Sequence, residues 1–419
     1  MTHRNMTVFE KMNTPEVKEA FLSRKEGSYN LTDDEFSLLK DYILSDKCKS
    51  DIQRLMADDF FFSIPSMSFL RKKNSQRKRI IYRFLPEEKM LMQLIAFVLH
   101  DYDHIYEDSV YSFRLGKHIS EIFSDIRKKN LCSTHWVLKT DIKSYGDNVQ
   151  PELLADMLDD IFLKDDPLLC SFFRKLLTRG KFYRDGELVE GSTGALSGCP
   201  LTTFFENVYL GDVDRYIISK STYYCRYADD IAIFVDSQEK AQAIYEHMNQ
   251  LFWERGLVFN KDKTVIIGPG EGFDLLGFHV EGSEFDISEH SLETILWKLN
   301  HRARKLVRLQ SRYGLTKEET MQKMISRIDG YFFGRDVENN ELNWVDWSFK
   351  VLTRSDSLKK IDSCAQECIR YVGSGGKRNN SKYRVRYKTM CRMGYRTLVH
   401  AFYHGFERNA PAIAKTSVF

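Results

Sequence analysis

No stretch of this 419-residue chain is long and apolar enough to cross a bilayer. The best, LMQLIAFVL at 91–99, ends after nine residues, where a spanning helix needs about 20. The opening MTHRNMTVFEKM lacks the apolar core of a secretory signal. These two absences lead to the expectation of a cytoplasmic protein with no membrane partner. Cysteine is sparse, at eight residues, and never occurs in the close pairs that hold zinc; Cys364 and Cys368, four apart, have the spacing of one helix face. Neither a zinc module nor a disulfide framework is expected. Repeats and low-complexity linkers are absent as well.

What is present is a globular composition, 42% hydrophobic and 13% aromatic, enough for two or three packed units. The net charge of +3 hides an uneven distribution. Residues 291–419 carry 25 Lys and Arg against 12 Asp and Glu, whereas residues 1–290 carry 37 against 47. A second basic run, RKKNSQRKR, occupies 71–79. Such runs are often solvated loops, but cations arranged around an acidic middle suit a phosphate-rich partner.

Along the chain, Thr32 with Glu35 forms a capping-box signature in a short helical opening. Helical spacing follows Pro86, at Met90, Leu91, Leu94, Ile95 and Val98, and again follows Pro151. HWVLKTD predicts a strand ending at Asp141, KFYRDGELVEG a hairpin turning at Asp185 and Gly186, and STGALSGCPLTTFFENVYLGDV a glycine-rich entry into a helix. LVFNKDKTVIIG and FDLLGFHV predict further strands, and beyond 290 the chain is helical and basic. Mixed strands and helices predict an α+β class.

Within YYCRYADDIAIFVD, Asp229 and Asp230 sit between two runs with the character of buried strands. An ordinary hairpin turn is one explanation, since Asp favours turns. The other is a bound cation: adjacent strands would bring Asp141 to the same place, and two like charges 4 Å apart repel by about 4 kcal/mol at an effective dielectric near 20. Mg²⁺ takes oxygen ligands and bridges to phosphates, and a pair of such ions implies phosphoryl transfer.

The order Asp141, GALSGCPLTTFFENVYL, YADD, FNKDKT and FDLLGF resembles the palm of reverse transcriptases of the group II intron and retron type. VYSFRLGKH at 110–118 is similar to their fingers motif S-Y-G-F-R-P-G, and the resemblance spans roughly 70–400. It implies a right-hand polymerase with fingers, a palm of antiparallel sheet flanked by helices, and a helical thumb. The boundaries expected are a helical extension at 1–50, fingers at 51–135, palm at 136–285 with a helical insertion around 150–190, and thumb at 286–419. By the same likeness Asp141 and Asp229 are principal ligands of two Mg²⁺ ions, with Mn²⁺ as a substitute, Asp230 in support and the Ile142 carbonyl as a further ligand. Lys263 would lie near the leaving pyrophosphate, unless it is a solvated strand-end lysine. Lys73 (or Lys72), Arg79 and Arg114 would meet the triphosphate. Ser197 and Gly198, with Gly194, would approach the nascent pair, although a plain helix start explains those glycines as well. Tyr227 and Ala228 would shape the turn beside the primer, Leu276 and Gly277 belong to the primer grip, and Arg302, Arg304, Lys305 and Arg308 would follow the duplex backbone. The segments 324–334 and 393–403 resemble thumb helices more loosely.

Three departures stand out. Leu196, Ser197 and Gly198 replace the family's P-Q-G. Gly146 replaces the aromatic that blocks a ribose 2′-hydroxyl, so either Tyr145 serves as the gate or sugar discrimination is relaxed. No Cys- or His-rich endonuclease segment follows the thumb. The last feature makes the chain resemble retron enzymes or the defence-associated (anti-phage) bacterial reverse transcriptases, most of all the latter, which implies a role in anti-phage defence. The expectation is an RNA-directed DNA polymerase copying a dedicated structured noncoding RNA into cDNA from dNTPs. Retron or intron roles, a polymerase using rNTPs or no template, and an inert RNA-binding scaffold stand as alternatives.

Overall fold

The computed structural model describes residues 6–26, 31–71, 78–334, 344–377, 379 and 381–405. The strands among them are β1 (Ser66–Arg71), β2 (Lys78–Arg83), β3 (Trp136–Asp141), β4 (Lys181–Arg184), β5 (Glu187–Glu190), β6 (Tyr223–Tyr227), β7 (Asp230–Val235), β8 (Val265–Ile267), β9 (Phe273–Leu275), β10 (Phe278–Glu281) and β11 (Glu284–Ile287). They form three sheets, ordered β2-β1-β4-β5, β6-β7-β3-β8 and β11-β10-β9. Mixed with helices throughout, they make an α+β protein. No described helix is long and apolar enough to cross a membrane.

The chain divides into two compact units between Glu271 and Gly272. In the first, one apolar core runs from Val8 to Phe259 and joins the opening helices to the first two sheets. The Thr32–Glu35 capping box forms as expected, with Thr32 Oγ1 accepting from Glu35 N at 3.2 Å and Glu35 Oε2 from Thr32 N at 2.8 Å. The sheet β6-β7-β3-β8 is antiparallel in every pair. β7 is buried on both faces, as its continuous apolar run requires.

The second unit holds β9, β10 and β11 together with the helices Glu289–Tyr313, Lys317–Phe332 and Asp356–Gly373, which pack on one another. The expected palm–thumb boundary at 285/286 falls inside β11 of this unit. The segment FDLLGF is not one strand: Leu276 and Gly277 have φ of 50° and 86° and make a two-residue turn between β9 and β10. In the first unit, LVFNKDKTVIIG is likewise interrupted, because Asn260 accepts from Lys263 N at 2.9 Å and from Thr264 Oγ1 at 3.0 Å and so closes a turn ahead of β8. The helix after the glycine-rich loop begins only at Thr202 and breaks after Tyr209, with a second helix over Gly211–Lys220.

A buried ion pair anchors β6. Arg226 is fully buried; its Nε donates to Asp214 Oδ1 at 2.8 Å and its Nη2 to Oδ2 at 2.5 Å, while Tyr224 adds its hydroxyl to Oδ1 at 2.6 Å. Arg226 Nη1 also reaches Asn207 Oδ1 at 3.2 Å, and Ser112 Oγ donates to that oxygen at 2.8 Å. Backbone bonds from Tyr111 N to Arg226 O and from Arg226 N to Ser109 O, each 2.9 Å, lay the VYSFR segment along this strand. Asp214→Ala strands a buried guanidinium and is expected to cost about 3–5 kcal/mol in urea unfolding. Asp214→Leu combined with Arg226→Met is expected to recover most of that loss; equal losses in both variants would contradict this role for the pair.

Candidate active site

The register of β3 against β7 places Asp141 directly opposite Asp230, and Asp229 occupies the turn between β6 and β7. Ala228 takes a left-handed φ of 55°, which tightens that turn, and the Tyr227 ring lies 5.7 Å from Phe113. Burial raises the Asp229 carboxyl first and the Asp141 charge raises it further, against the pull of Lys263 and Arg79. Asp230 is raised by burial and then by Asp229, with Lys139 opposing. Three acids share a small volume that resists their joint ionisation.

Asp141 answers with two partners distant in sequence. Asn260 Nδ2 donates to Oδ1 at 2.8 Å, and the Lys263 ammonium pairs with Oδ2. The turn at Asn260 delivers both, since Asn260 N also donates to the Asp141 carbonyl at 2.8 Å. Burial lowers the Lys263 ammonium, but its bond to Asp141 and the charges of all three acids outweigh that and leave it raised. Ile142 is buried and bridges to Phe259.

The glycine-rich loop lies beside these acids. Gly194 has φ of 56°, and a side chain there would sit 2.2 Å from the Gly146 carbonyl, so only glycine lets the two backbones meet. Ala195 N donates to that same carbonyl at 2.8 Å, Ser197 O accepts from Tyr82 N at 2.8 Å, and Gly198 packs against Ile81. The loop is thereby stitched to both β2 and the segment after Asp141.

A profile of the family described as "Reverse transcriptase (RNA-dependent DNA polymerase)" matches residues 70–280, half of the chain and the part that carries all of these features. The chain belongs to the reverse transcriptase family. It is 26% identical over 205 residues to the retron Ec48 reverse transcriptase of Escherichia coli, a match covering 45% of this chain and 46% of that protein, so it spans about half the length of its curated relative. Among solved structures, apo telomerase from Candida tropicalis, truncated from its C-terminal domain, aligns with a TM-score of 0.43 and 13% identity, over 54% of this chain and 55% of that one. Telomerase from Candida albicans, in complex with a fragment of telomeric RNA, aligns with a TM-score of 0.43 and 12% identity, over 87% and 67%. At those scores the likeness stays remote.

Reverse transcriptases work with divalent metal ions, and the donor chemistry here suits them: burial first, and then a neighbouring carboxylate, raises Asp229 and Asp230, and Asp141 already holds a cation, Lys263. Among the described residues no three His, Cys, Asp or Glu side chains form a ready cage. Asp141 is turned toward Asn260 and Lys263 instead.

Of the residues expected to meet a triphosphate, Arg79 of β2 acts through its charge on both Asp229 and Glu206. Lys72 and Lys73 lie outside the described residues. Arg114 organises its own loop: its guanidinium donates to the carbonyls of Glu107 at 2.8 Å, Val110 at 3.0 Å and Asp103 at 2.9 Å and lies over Tyr106. Tyr145 is not placed as a gate: its ring is buried, and its hydroxyl donates to the Glu206 carbonyl. In the second unit, Leu276 and Gly277 occupy the β9–β10 turn. Arg304, Lys305 and Arg308 are exposed on the helix Glu289–Tyr313, and Arg302 lies 5.0 Å from the Tyr331 ring centre. The segments at 324–334 and 393–403 belong to packed helices of the same unit.

Sequence reasoning passed over Asn260, Asp147 and Glu206. Glu206 was signalled by one oddity, an acid inside the otherwise apolar and neutral run TTFFENVY. Burial, and then the Asp229 charge, push its carboxyl up to about 7 from an ordinary 4.5. The folded chain therefore keeps a proton that the unfolded chain releases, and stability falls as pH rises through that window. Glu206→Gln is expected to unfold at a higher temperature than the parent at pH 8, with the gain gone at the ordinary carboxyl value of 4.5. Parallel melting profiles across that range would contradict the assignment.

Proposed function

We propose that the chain is an RNA-directed DNA polymerase, a nucleotidyltransferase that extends a primer with dNTPs along a structured noncoding RNA in the cytoplasm. The observation that carries the reading is the register that sets Asp141 against Asp230 and beside Asp229, in a chain of the reverse transcriptase family. Asp141 and Asp229 would hold two Mg²⁺ ions, or Mn²⁺ in their place, with Asp230 and the Ile142 carbonyl in support. Such ions lower the pKa of an attacking hydroxyl and neutralise charge on the leaving group.

The chain's own residues supply the rest. Asp141 and Lys263 are paired while the acids lack another cation; engagement of the carboxylate elsewhere frees the ammonium to meet the pyrophosphate, where a fixed positive charge offsets the charge that develops. Arg79 offers a fork for phosphate oxygens. The loop at Gly194–Gly198, which presents bare backbone, is suited to lie against the nascent pair, and Tyr227 and Ala228 shape the turn beside the primer end. Leu276 and Gly277 would grip the primer, and Arg302, Arg304, Lys305 and Arg308 would follow the phosphates of the template–product duplex without reading its sequence.

The similarity to the retron Ec48 enzyme favours a dedicated noncoding RNA as template, and a retron role is the second reading beside anti-phage defence. Sequencing the RNA and DNA that copurify with the protein from its host separates these from a general polymerase. Asp229→Asn with Asp230→Asn is expected to lower primer extension by at least about 100-fold while RNA affinity, read by filter binding, stays close to that of the parent. Unchanged extension in the double variant would contradict the polymerase reading, and unchanged biological function without extension would favour the inert scaffold.

A further inference from the structure

Gly146 leaves a space where a side chain would stand, and two groups fill it. A β-carbon built on Gly146 meets Ser197 Oγ at 2.6 Å and Glu206 Oε1 at 2.8 Å. The backbone of Glu206 and the neighbouring Ser197 hydroxyl are each fixed by a hydrogen bond. The Glu206 carbonyl accepts the Tyr145 hydroxyl, which pins the helix Thr202–Tyr209 to the segment after Asp141, and Ser197 Oγ donates to Asp147 Oδ1 at 3.3 Å next to it. Asp229 and Arg79 act on Glu206 through their charges, and Ser197 of the glycine-rich loop shares with it the space over Gly146.

A nucleotide bound with its phosphates toward Asp229 and Arg79 and its base toward the glycine loop brings its sugar to the position between them. We propose that Glu206 is the specificity-determining residue for that sugar, its carboxyl filling the volume over Gly146 and excluding a ribose 2′-hydroxyl. The inference rests on the polymerase reading above. It replaces both expectations drawn for Gly146, a swung-in Tyr145 and an open pocket: Tyr145 is a positioning residue that fixes the backbone bearing the carboxyl, and the pocket is closed by an acid from the opposite helix. Exclusion follows from occupancy. A 2′-hydroxyl must displace a carboxyl that is already enclosed and that faces the charges of Asp229 and Asp147, so the ribonucleotide meets a steric and electrostatic cost that the deoxyribonucleotide does not.

The test is single-nucleotide extension of oligo(dT) on poly(rA) by the full chain, with dTTP and UTP compared by kcat/KM. The parent is expected to prefer dTTP. Glu206→Ala is expected to raise relative UTP use by about tenfold or more, the scale at which one side chain in a pocket discriminates, chiefly through a lower KM for UTP. Glu206→Gln, which keeps the volume, is expected to retain the preference, and Glu206→Ala with Gly146→Phe, which refills the space from the other side, is expected to restore it. An unchanged dTTP/UTP ratio in an active Glu206→Ala enzyme, or a fall in its UTP use, overturns the assignment of Glu206 alone. If Glu206→Ala fails to fold, Glu206→Asp decides in its place: withdrawing the carboxyl by one methylene must relax the ratio in part, and an unchanged ratio overturns the assignment. A parent that incorporates neither nucleotide on any primed RNA overturns the polymerase reading itself.

Discussion

Three carboxylates repel one another where β3 ends and β6 turns into β7, and much of the first unit is arranged to hold them there. Two like charges about 4 Å apart at an effective dielectric near 20 repel by about 4 kcal/mol, a large fraction of the net stability of a folded domain. Burial first, and neighbouring negative charge after it, raises the carboxyls of Asp229 and Asp230. The backbone offsets it with the continuous ladder from Trp136–Val235 to Asp141–Asp230, and the buried Arg226–Asp214 pair secures β6 just before the turn. Without another cation, the Lys263 ammonium supplies the nearest countercharge. The site thus concentrates negative charge, and the protein brings a cation of its own to it.

The surroundings follow the same logic. Arg79 comes from the paired strands β1 and β2, Lys263 from the Asn260 turn, and the glycine loop lies against Gly146, so the proposed phosphate-binding and base-facing groups come from separate elements around the acids. Glu206 stands among them with its carboxyl raised to about 7. In the second unit the basic residues of the helix Glu289–Tyr313 lie off its buried stripe of Leu292, Ile295, Leu299, Ala303 and Leu306. Cations on a solvent face are free of the helix's own packing, and that placement is what the proposed contact with a partner's phosphates needs.

The acids themselves were legible in the sequence because a strand pattern broken by two aspartates has few explanations, and because Asp141 ends another strand of matching character. The Thr32–Glu35 cap and the Asp185–Gly186 hairpin were legible for local reasons, since their chemistry is complete within four residues. What was hidden depends on distant partners or on irregular backbone. Nothing near Tyr145 in the chain tells that its hydroxyl will meet the Glu206 carbonyl 61 residues on; the carbonyls of Asp103, Glu107 and Val110 are near Arg114 in sequence but lie in a 3₁₀ turn and the irregular loop after it, whose path no periodicity announces. The interruption of FNKDKT arose from the Asn260 carbonyl and amide, whose bonds to Lys263, Thr264 and Asp141 outcompete the apolar alternation that suggests a strand. Gly146 looked like a lost side chain; in three dimensions its space belongs to Ser197 and Glu206.

Anomalous diffraction from crystals of the full chain grown with Mn²⁺, primed RNA and a non-hydrolysable dNTP tests the central claim most directly. The account predicts manganese between Asp141 and Asp229, with the Lys263 ammonium moved off the Asp141 carboxylate toward the triphosphate. Nucleotide seated against Arg79 with no manganese at these carboxylates, and with the Lys263–Asp141 pair intact, would contradict it.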